Sequence, residues 1–395
     1  MKFNKKSPRC WYYFLRTAIN IIIGMIFLLF LQQPKSRNLR IVLFGHRLNG
    51  NTKALLDYIR GKKINDVEVS FMAVDRRYYK KLKKEDKELR VLSSENLNDI
   101  IYLLSSDAIV STHGPSVFFL IRKLGKRKPK FVEVSHGLGH KGYVKEGWKL
   151  YHFYDKILTS SHYYKRFYVE RWGFRDSQVV PAGWGRLDYF FNRTLDRSQI
   201  LKKYHISNKY KRIVLIAPTW KMENEGRRIF PFGETAEEFF ALLEKIGREK
   251  NTLFIFRTHI NTPADVKKRY GHIRFLPHKD YPLTYEILYI TDILVYDWSS
   301  ISVDYIALNR PIICLNVKAP FKHGFTLPLS DRIGYLVNNT QELEKTIQHC
   351  IDYPKEFSVK FKERRKKFLS KLYDNNLDGK SAARYLEVIR ASVRK

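Results

Sequence analysis

The segment Ile293–Leu315, ILVYDWSSISVDYIALNRPIICL, shows the pattern that indicates the fold class most directly. An apolar run, ILVY, is followed by a polar turn with two serines, a helix-like stretch and a second apolar run, IICL. Strands that alternate with helical stretches are typical of βαβ units, which build parallel sheets. Because a helix start exposes unpaired N–H groups and a partial positive charge, the serines either cap the helix or bind an anion.

The same alternation occurs twice along the chain. From Leu39, the strand-like runs LRIVLFG, VEVSFMAV, DAIVSTH and FVEVSHG alternate with helical stretches, and this series ends near Leu187. A second series contains IVLIAPTW, TLFIFRTH, IRFLP, ILVYD and IICLNV, and three helical stretches follow from Thr340. The pattern predicts an α/β protein with two doubly wound, Rossmann-type domains facing a cleft, residues 39–200 and 201–395. Ligands of such sheets bind at the carboxyl ends of the strands.

A strong positive charge limits the classes of partner. The 395 residues include 73 lysines and arginines against 39 aspartates and glutamates, which gives a net charge of +34. This balance favours an anionic partner: a phosphate-rich substrate, anionic lipid or nucleic acid. The three cysteines are far apart and show no metal-ligand spacing, so we expect reduced structural thiols and no bound metal.

The N-terminal segment, residues 1–38, predicts a membrane-associated helix. Basic residues and aromatics precede an apolar run from Ala18 to Leu31, and no small-residue cleavage site is present. The run is shorter than the roughly 20 residues of a spanning helix, and Arg16 interrupts its extension. Two arrangements stay open: a spanning helix with the body outside the cell, or a monotopic helix with the body on the cytoplasmic face. The short run and the basic residues on both sides favour the monotopic helix.

Polar residues follow the strands of the first series. In VSHGLGHKGY, His136 directly follows a strand and can act as a general base, Gly137 permits close backbone approach to a ligand, and Lys141 offers charge to a phosphate. In GWGRLD, Arg186 can fork onto a phosphate while Asp188 orients it. The alternatives are a turn with an incidental histidine and a salt bridge in a hinge.

The second series also places polar residues after its strands. Thr219 follows the strand of IAPTW, and Arg257 and His259 follow the strand of FRTHI. Loops that contact a nucleotide are one interpretation of both stretches, and an ordinary turn with a structural histidine is the other.

The serine motif itself allows two interpretations. Asp297, Ser299 and Ser300 stand at a predicted helix start, and Asp304 follows one turn later. A helix cap is the simpler interpretation, whereas the exposed N–H groups and the second hydroxyl suit a pyrophosphate. The chain has no GxxxxGK[ST] loop and GHRLNGN is not a GxGxxG, so neither a Walker-type ATPase nor a dinucleotide redox enzyme is predicted.

Taken in order, these motifs resemble those of the CDP-glycerol glycerophosphotransferase family, the teichoic acid primases and polymerases of bacterial cell walls. VSHGLGHK resembles the family's HGTPLK, GWGRLD its GxPRxD, and APTWK its APTxR. FRTHI is similar to KLHP, YDWSSISVDYIALNRPIIC to TDYSSxxFDYxxLxRPxIF, and LDGKSAARYLEVI to a terminal DGxAxxR helix. The chain lacks the Thr-Pro of HGTPLK and departs from the family pattern at Ile260, Tyr296 and Trp298.

The resemblance implies a GT-B fold and an enzyme that transfers glycerol phosphate, or a related polyol phosphate, from a CDP-linked donor to an acceptor hydroxyl, with release of CMP. It implies that His136 deprotonates the acceptor, that His259 contacts the donor phosphate and that the serines hold the pyrophosphate. Arg186 and Lys141 would add positive charge. The resemblance also implies a CDP-polyol as the donor substrate. Phosphoryl transfer depends chiefly on positioning and on compensation of anionic oxygens, so we expect no cofactor.

The expected acceptor is lipid-linked, on polyprenyl diphosphate, or polymeric, in the synthesis of teichoic acid or a capsule-type polymer, at an anionic membrane surface. Two other functions stay open. A GT-B glycosyltransferase that uses a nucleotide sugar would share the fold. A non-catalytic basic protein would bind lipid or nucleic acid, but the sequence shows no recognised nucleic-acid-binding module, so nucleic acid is not an expected partner.

Overall fold

The computed structural model describes residues 8–30, 38–112, 114, 118–124, 129–135, 142, 145–219, 230–258, 269–321 and 324–394. These residues form two compact units. The first contains the described residues up to 135, Lys145–Asp188 and those from Asp378 onward, and the second contains Gly142 and the described residues of Tyr189–Leu377. Each unit has one parallel sheet with helices between its strands, as the alternating pattern predicts.

A seven-stranded parallel sheet forms the first unit. Its strands are β1 Leu39–Phe44, β2 Val67–Ala73, β3 Arg90–Ser93, β4 Ala108–Ser111, β5 Lys130–Glu133, β6 Lys156–Thr159 and β7 Val179–Pro181. Their spatial order is β3-β2-β1-β4-β5-β6-β7. The direction of winding therefore reverses between β1 and β4, which is where doubly wound sheets open a crevice for ligands.

A six-stranded parallel sheet forms the second unit. Its strands are β8 Arg212–Ala217, β9 Thr252–Phe256, β10 Ile273–Phe275, β11 Ile293–Tyr296, β12 Ile312–Leu315 and β13 Tyr335–Val337. Their order is β10-β9-β8-β11-β12-β13, so the reversal lies between β8 and β11. The segment Ile293–Leu315 supplies β11 and β12, which pair in parallel.

The α-helices of the described chain lie between the strands or at the two ends of the chain. They are α1 Pro8–Phe30, α2 Gly50–Gly61, α3 Arg76–Glu85, α4 Leu97–Leu104, α5 Phe119–Leu124, α6 His162–Arg166, α7 Gly185–Phe191, α8 Arg197–Lys203, α9 Ala236–Lys250, α10 Thr284–Ile290, α11 Ile301–Tyr305, α12 Thr340–Asp352, α13 Glu356–Lys360, α14 Lys362–Tyr373 and α15 Ser381–Val393. Capping chemistry fixes some of their starts. At α9, the Thr235 hydroxyl accepts from the Glu238 N–H (3.2 Å) and the Glu238 carboxylate accepts from the Thr235 N–H (2.9 Å).

Helix α1 lies against the first unit. Thr17, Ile21 and Gly24 form a buried stripe at helical spacing, and the Asn20 amide donates to the Ser94 carbonyl (3.2 Å). A methyl group added at Gly24 would lie 2.8 Å from the side chain of Leu104, so the glycine permits α1 to approach α4 closely. The rest of α1 exposes large apolar side chains. Its residues Trp11–Phe30 suffice by length and composition to cross a membrane, which differs from the shorter run that the sequence predicts.

Helix α15 belongs to the first unit, whereas the sequence-based boundary assigns it to the second domain. Its N-cap residue, Lys380, makes no side-chain capping hydrogen bond. The carboxylate of Asp188 caps the helix instead, because it accepts from the N–H groups of Ser381 (3.1 Å) and Ala382 (2.8 Å). Tyr385 and other apolar side chains of α15 complete the core beside α2.

The Asp188 cap generates a stability prediction. Asp188→Ala leaves two N–H groups of α15 without their acceptor, so we expect a loss of about 2 kcal/mol in the free energy of unfolding. Asp188→Asn keeps one acceptor oxygen and is expected to lose less. Asp176→Ala is the control, since it removes an exposed ion pair with Lys165 that is expected to contribute little. Chemical denaturation measures all three, and equal stability of Asp188→Ala and Asp176→Ala would contradict the capping role.

Candidate functional site

Four predicted site residues lie outside the described part of the chain, namely His136, Gly137, Lys141 and His259. Their roles stay predictions. The structure describes the others, two of which belong to the first unit, Arg186 and Asp188, and six to the second, Thr219, Arg257, Asp297, Ser299, Ser300 and Asp304.

The GWGRLD turn of the first unit is held by a tyrosine of α15. Gly183 adopts a positive φ of 83°, which favours glycine. The Tyr385 hydroxyl donates to the Gly183 carbonyl (2.8 Å) and accepts from the Gly185 N–H (2.9 Å). Arg186 is the second residue of α7, and its guanidinium lies 5.0 Å from the ring centre of Trp184. The turn thus presents a partly exposed arginine from a fixed backbone, as a phosphate contact requires.

Asp188 has a different role from the predicted one. The sequence predicts that it orients Arg186 at a substrate. Instead, each of its carboxylate oxygens accepts an N–H group at the start of α15, and the side chain is buried. Burial also raises its pKa above the ordinary value. We therefore assign Asp188 to helix capping.

A buried carboxyl group lies on β5, three residues before His136. Glu133 is 2% exposed, the Ser111 hydroxyl donates to its Oε2 (2.7 Å), and the Tyr154 hydroxyl lies 2.5 Å from the Ser111 Oγ. Burial raises the pKa of Glu133 to about 8, while the hydrogen bonds act in the opposite direction. The group therefore holds a proton at neutral pH.

A buried amide also lies at the end of β5. The side chain of Asn51, near the start of α2, donates to the carbonyls of Val134 and Ser135 and accepts from the N–H of Arg186. Asn51 thus connects two stretches in which the sequence predicts site residues.

In the second unit, Thr219 and Asp297 come together where the sheet reverses. Asp297 follows β11 and is buried, and its Oδ1 accepts from the N–H (2.9 Å) and the hydroxyl (2.5 Å) of Thr219, which follows β8. Asp297 also accepts from the N–H of Trp298. The two predicted residues therefore lie at the carboxyl ends of the strands that flank the crevice position.

An arginine that the sequence did not single out completes this corner. Arg332 donates to the carbonyls of Asp297 (2.8 Å) and Leu315 (3.0 Å). Its guanidinium lies 4.2 Å from the ring centre of Trp298, whose indole N–H donates to the Val317 carbonyl (2.9 Å). Arg332 thus links the ends of β11 and β12 and brings positive charge to the serine motif.

The serines are not conventional caps. Ser300 precedes α11 and makes no side-chain capping hydrogen bond. At this helix start the Ser302 hydroxyl donates a hydrogen bond to the Ser299 carbonyl (3.0 Å). Ser300 is exposed, Ser299 is partly exposed and Asp304 is buried within α11. The simpler interpretation of the sequence, a serine side-chain cap, is therefore not what the structure shows.

Arg257 is buried in protein contacts. It is 5% exposed and donates to the Leu276 carbonyl (2.9 Å) and the Thr284 hydroxyl (2.9 Å), and its Nη2 lies 2.9 Å from Nδ1 of His278. Burial lowers its pKa to about 10. The prediction that Arg257 binds substrate is corrected accordingly, because the guanidinium holds the segment that follows β10.

The sequence contained weak signals for the polar residues it missed. Glu133 is a charged residue inside the apolar run FVEV, and such a residue in a parallel strand needs a partner or a proton. Asn51 lies in GNTKALLDYI, where an amide at a helix start is usually interpreted as a cap. Arg332 lies in a loop whose pattern gives no indication of its contacts.

The pKa of Glu133 generates a prediction on pH dependence. Between its ordinary pKa of 4.5 and about 8, the folded protein holds a proton that the unfolded chain releases. The free energy of unfolding therefore falls as pH rises through this window, by up to about 1.4 kcal/mol per pH unit, and levels off above it. Glu133→Gln is neutral throughout and lacks this contribution.

Denaturation of the wild type and of Glu133→Gln between pH 5 and pH 9 measures the effect. We expect the stability of the wild type relative to Glu133→Gln to decline up to about pH 8. Parallel pH profiles of the two proteins would show that Glu133 is already ionised in the folded state.

Comparison with known proteins gives consistent matches. The chain is 26% identical over 242 residues to the teichoic acid poly(ribitol-phosphate) polymerase of Bacillus spizizenii. The aligned region covers 60% of this chain but 37% of that protein. It is 24% identical over 334 residues to the teichoic acid glycerol-phosphate primase of Bacillus subtilis, which covers 79% of this chain and 80% of that protein. The chain thus spans about a third of the polymerase and most of the primase.

A solved structure of the wall teichoic acid polymerase TagF superposes with a TM-score of 0.73 at 15% identity, covering 97% of both chains. This likeness shows the fold and confirms the predicted GT-B-like class. The family model for CDP-glycerol:poly(glycerophosphate) glycerophosphotransferases matches residues 25–391, which include all the motifs described above. The chain therefore belongs to the CDP-glycerol:poly(glycerophosphate) glycerophosphotransferase family.

Proposed function

We propose that this protein transfers glycerol phosphate, or a related polyol phosphate, from a CDP-linked donor to a hydroxyl of a lipid-linked or polymeric acceptor, with release of CMP. The match to the family over residues 25–391 carries this proposal. The names of the similar proteins, a poly(ribitol-phosphate) polymerase and a glycerol-phosphate primase, support ribitol and glycerol as the polyols to test and teichoic acid as the polymer.

The reaction gives a role to four of the predicted residues. An oxygen of the acceptor forms a bond to the phosphorus that carries the polyol, and the pyrophosphate bond to CMP breaks. His136 takes the proton of the acceptor hydroxyl as general base, and His259 contacts the donor phosphate. Arg186 and Lys141 compensate the charge of the phosphate oxygens. No covalent intermediate with the protein is required.

We assign the donor to the second unit. Thr219 and Asp297 fix the backbone where the sheet reverses, and Arg332 adds a cation behind the serine motif. Because Ser300 is exposed and makes no capping bond, its hydroxyl can serve a pyrophosphate together with that of Ser299. The serine motif of the family supports this assignment.

The activity test uses the purified full chain with a panel of donors: CDP-glycerol, CDP-ribitol, UDP-sugars and GDP-sugars. A polyprenyl-diphosphate-linked acceptor is supplied in vesicles, and released nucleotide and product mass are measured. We expect CMP from a CDP-polyol and an acceptor that gains polyol-phosphate units. His136→Ala is expected to lower kcat about 100-fold or more, because the acceptor loses its general base. His349→Ala is the control, since that ring contacts Glu356 on the surface.

Each outcome bears on the proposal. Release of UDP or GDP with transfer of a sugar would replace it by a glycosyltransferase function. Absence of nucleotide release from every donor would sink it. Equal activity of His136→Ala and His349→Ala would preserve the reaction but remove His136 as the base.

We also propose that α1 holds the protein on the cytoplasmic face of the membrane as a monotopic helix. Its buried stripe of Thr17, Ile21 and Gly24 lies at mid-length, α1 packs against α4 of the first unit, and Gly24 lies close to Leu104 of that helix. If α1 crossed the bilayer, its middle would lie in the hydrocarbon and α4 would lie there too. Transfer of the polar groups around α4 from water into hydrocarbon would cost free energy. The exposed apolar side chains of α1 suit one leaflet, and the net charge suits anionic headgroups.

Flotation of the full chain with vesicles of phosphatidylglycerol and phosphatidylcholine tests this arrangement. We expect Ile19→Asp and Ile26→Asp to reduce vesicle binding strongly, because both side chains are about half exposed on α1 and insert into the leaflet. Leu336→Asp, at a similarly exposed leucine of the second unit, is the control and should bind as the wild type does. Labelling of residue 8 from the opposite side of sealed vesicles would instead indicate a spanning helix.

A further inference from the structure

We propose that Asn51 is a positioning residue for the transfer reaction: its side chain fixes the strand end that precedes His136 and the start of the helix that carries Arg186 relative to each other. This inference rests on the proposed function for its catalytic consequence. The contact itself is a property of the first unit, and it can be tested without any substrate.

The amide of Asn51 reaches two segments that are far apart in the chain. Its Nδ2 donates to the carbonyls of Val134 (2.6 Å) and Ser135 (2.5 Å), directly after β5. Its Oδ1 accepts from the backbone N–H of Arg186 (3.1 Å), at the start of α7. The side chain is 2% exposed, so water does not replace these partners readily.

An asparagine matches this arrangement by its chemistry. Its amide offers two donor hydrogens and an acceptor oxygen at fixed geometry, and here donors meet carbonyls while the oxygen meets an N–H. An aspartate has only acceptors when ionised and would repel both carbonyls. Asn51 does not cap its own helix, since the N-cap residue of α2 is Asn49.

The backbone at this point is also strained. Ser135 has a φ of 26°, in the region that residues with a Cβ rarely adopt. Such a conformation costs free energy and persists only when surrounding contacts stabilise it. The hydrogen bond from Asn51 to the Ser135 carbonyl is one such contact. Ser135 is the residue directly before His136 in the sequence.

The consequence for catalysis follows from geometry. His136, the proposed base, directly follows Ser135 in the chain. Arg186, the proposed phosphate contact, donates its backbone N–H to Asn51. Loss of the amide frees both segments at once. A displacement of about 1 Å at a reacting group can lower the rate about 100-fold, so we expect the effect chiefly in kcat.

Hydrogen–deuterium exchange of the full chain tests the contact itself. In Asn51→Ala, we expect faster exchange in peptides that cover residues 130–135 and 182–188, and no change at α9 of the second unit. Thr52→Val is the matched control. Thr52 is the adjacent residue and is fully buried, but its hydroxyl donates to the Asn49 carbonyl (3.0 Å) within the same helix start. If exchange in both segments is the same in Asn51→Ala as in Thr52→Val, the proposal is wrong.

Kinetics of CMP release test the catalytic consequence. We expect Asn51→Ala to lower kcat about 10- to 100-fold with little change in KM for the CDP-polyol, while Thr52→Val stays near the wild type. Asn51→Asp should recover activity relative to the wild type as pH falls, because a protonated carboxyl group can donate to one carbonyl again. A loss of thermal stability in Asn51→Ala with unchanged kcat would reduce Asn51 to a structural residue.

The two measurements separate two failures. If the wild type releases no CMP from any CDP-polyol, the proposed function fails, and the exchange experiment still decides whether Asn51 holds both segments. If the wild type is active and Asn51→Ala retains its full kcat, the proposed function stands and the positioning role is overturned.

Discussion

The first unit depends on a contact between distant parts of the chain. The carboxylate of Asp188 accepts hydrogen bonds from the N–H groups of Ser381 and Ala382, at the start of α15, which have no other capping acceptor from the N-cap side chain. This contact places α15 beside α2, where its apolar face completes the core of the first sheet. It also brings Tyr385 to the glycine turn ahead of Arg186. The geometry of a proposed phosphate contact is thus set by a helix that is distant in the chain.

Both units solve the same physical problem at the carboxyl ends of their strands. A parallel sheet ends in carbonyls and N–H groups that its ladder does not pair, and their burial is costly unless a side chain satisfies them. Asn51 does this in the first unit, where it joins the end of β5 to α7. Asp297 does it in the second unit, where it joins the ends of β8 and β11. Buried polar groups therefore build the framework, whereas Ser299, Ser300 and Arg186 are more exposed.

Much of the architecture follows from the sequence because parallel strands are long apolar runs. The strands β3, β6, β7 and β13 were not predicted. Each has three or four residues and most include a charged residue or a proline, which weakens the apolar pattern, although β10 is as short and was predicted. Strand-end positions were predictable for a similar reason, because the topology of parallel sheets places ligands there.

The roles of individual residues were less accessible to sequence reasoning. The partners of Asp188 lie in a distant helix, and nothing local marks Arg257 as buried. The departures from the family pattern at Tyr296 and Trp298 also have a packing explanation. Tyr296 is buried inside β11, and Trp298 packs against Phe321 and Phe325.

The position of α15 has a consequence for biosynthesis. Chains are made from the amino end, and a ribosome adds about 5–20 residues per second. The first sheet cannot complete its core until residues 378–394 have emerged, whereas all residues of the second unit precede position 378. The nascent chain therefore carries an unfinished first unit, with the exposed apolar side chains of α1 already made, while the second unit is still being translated.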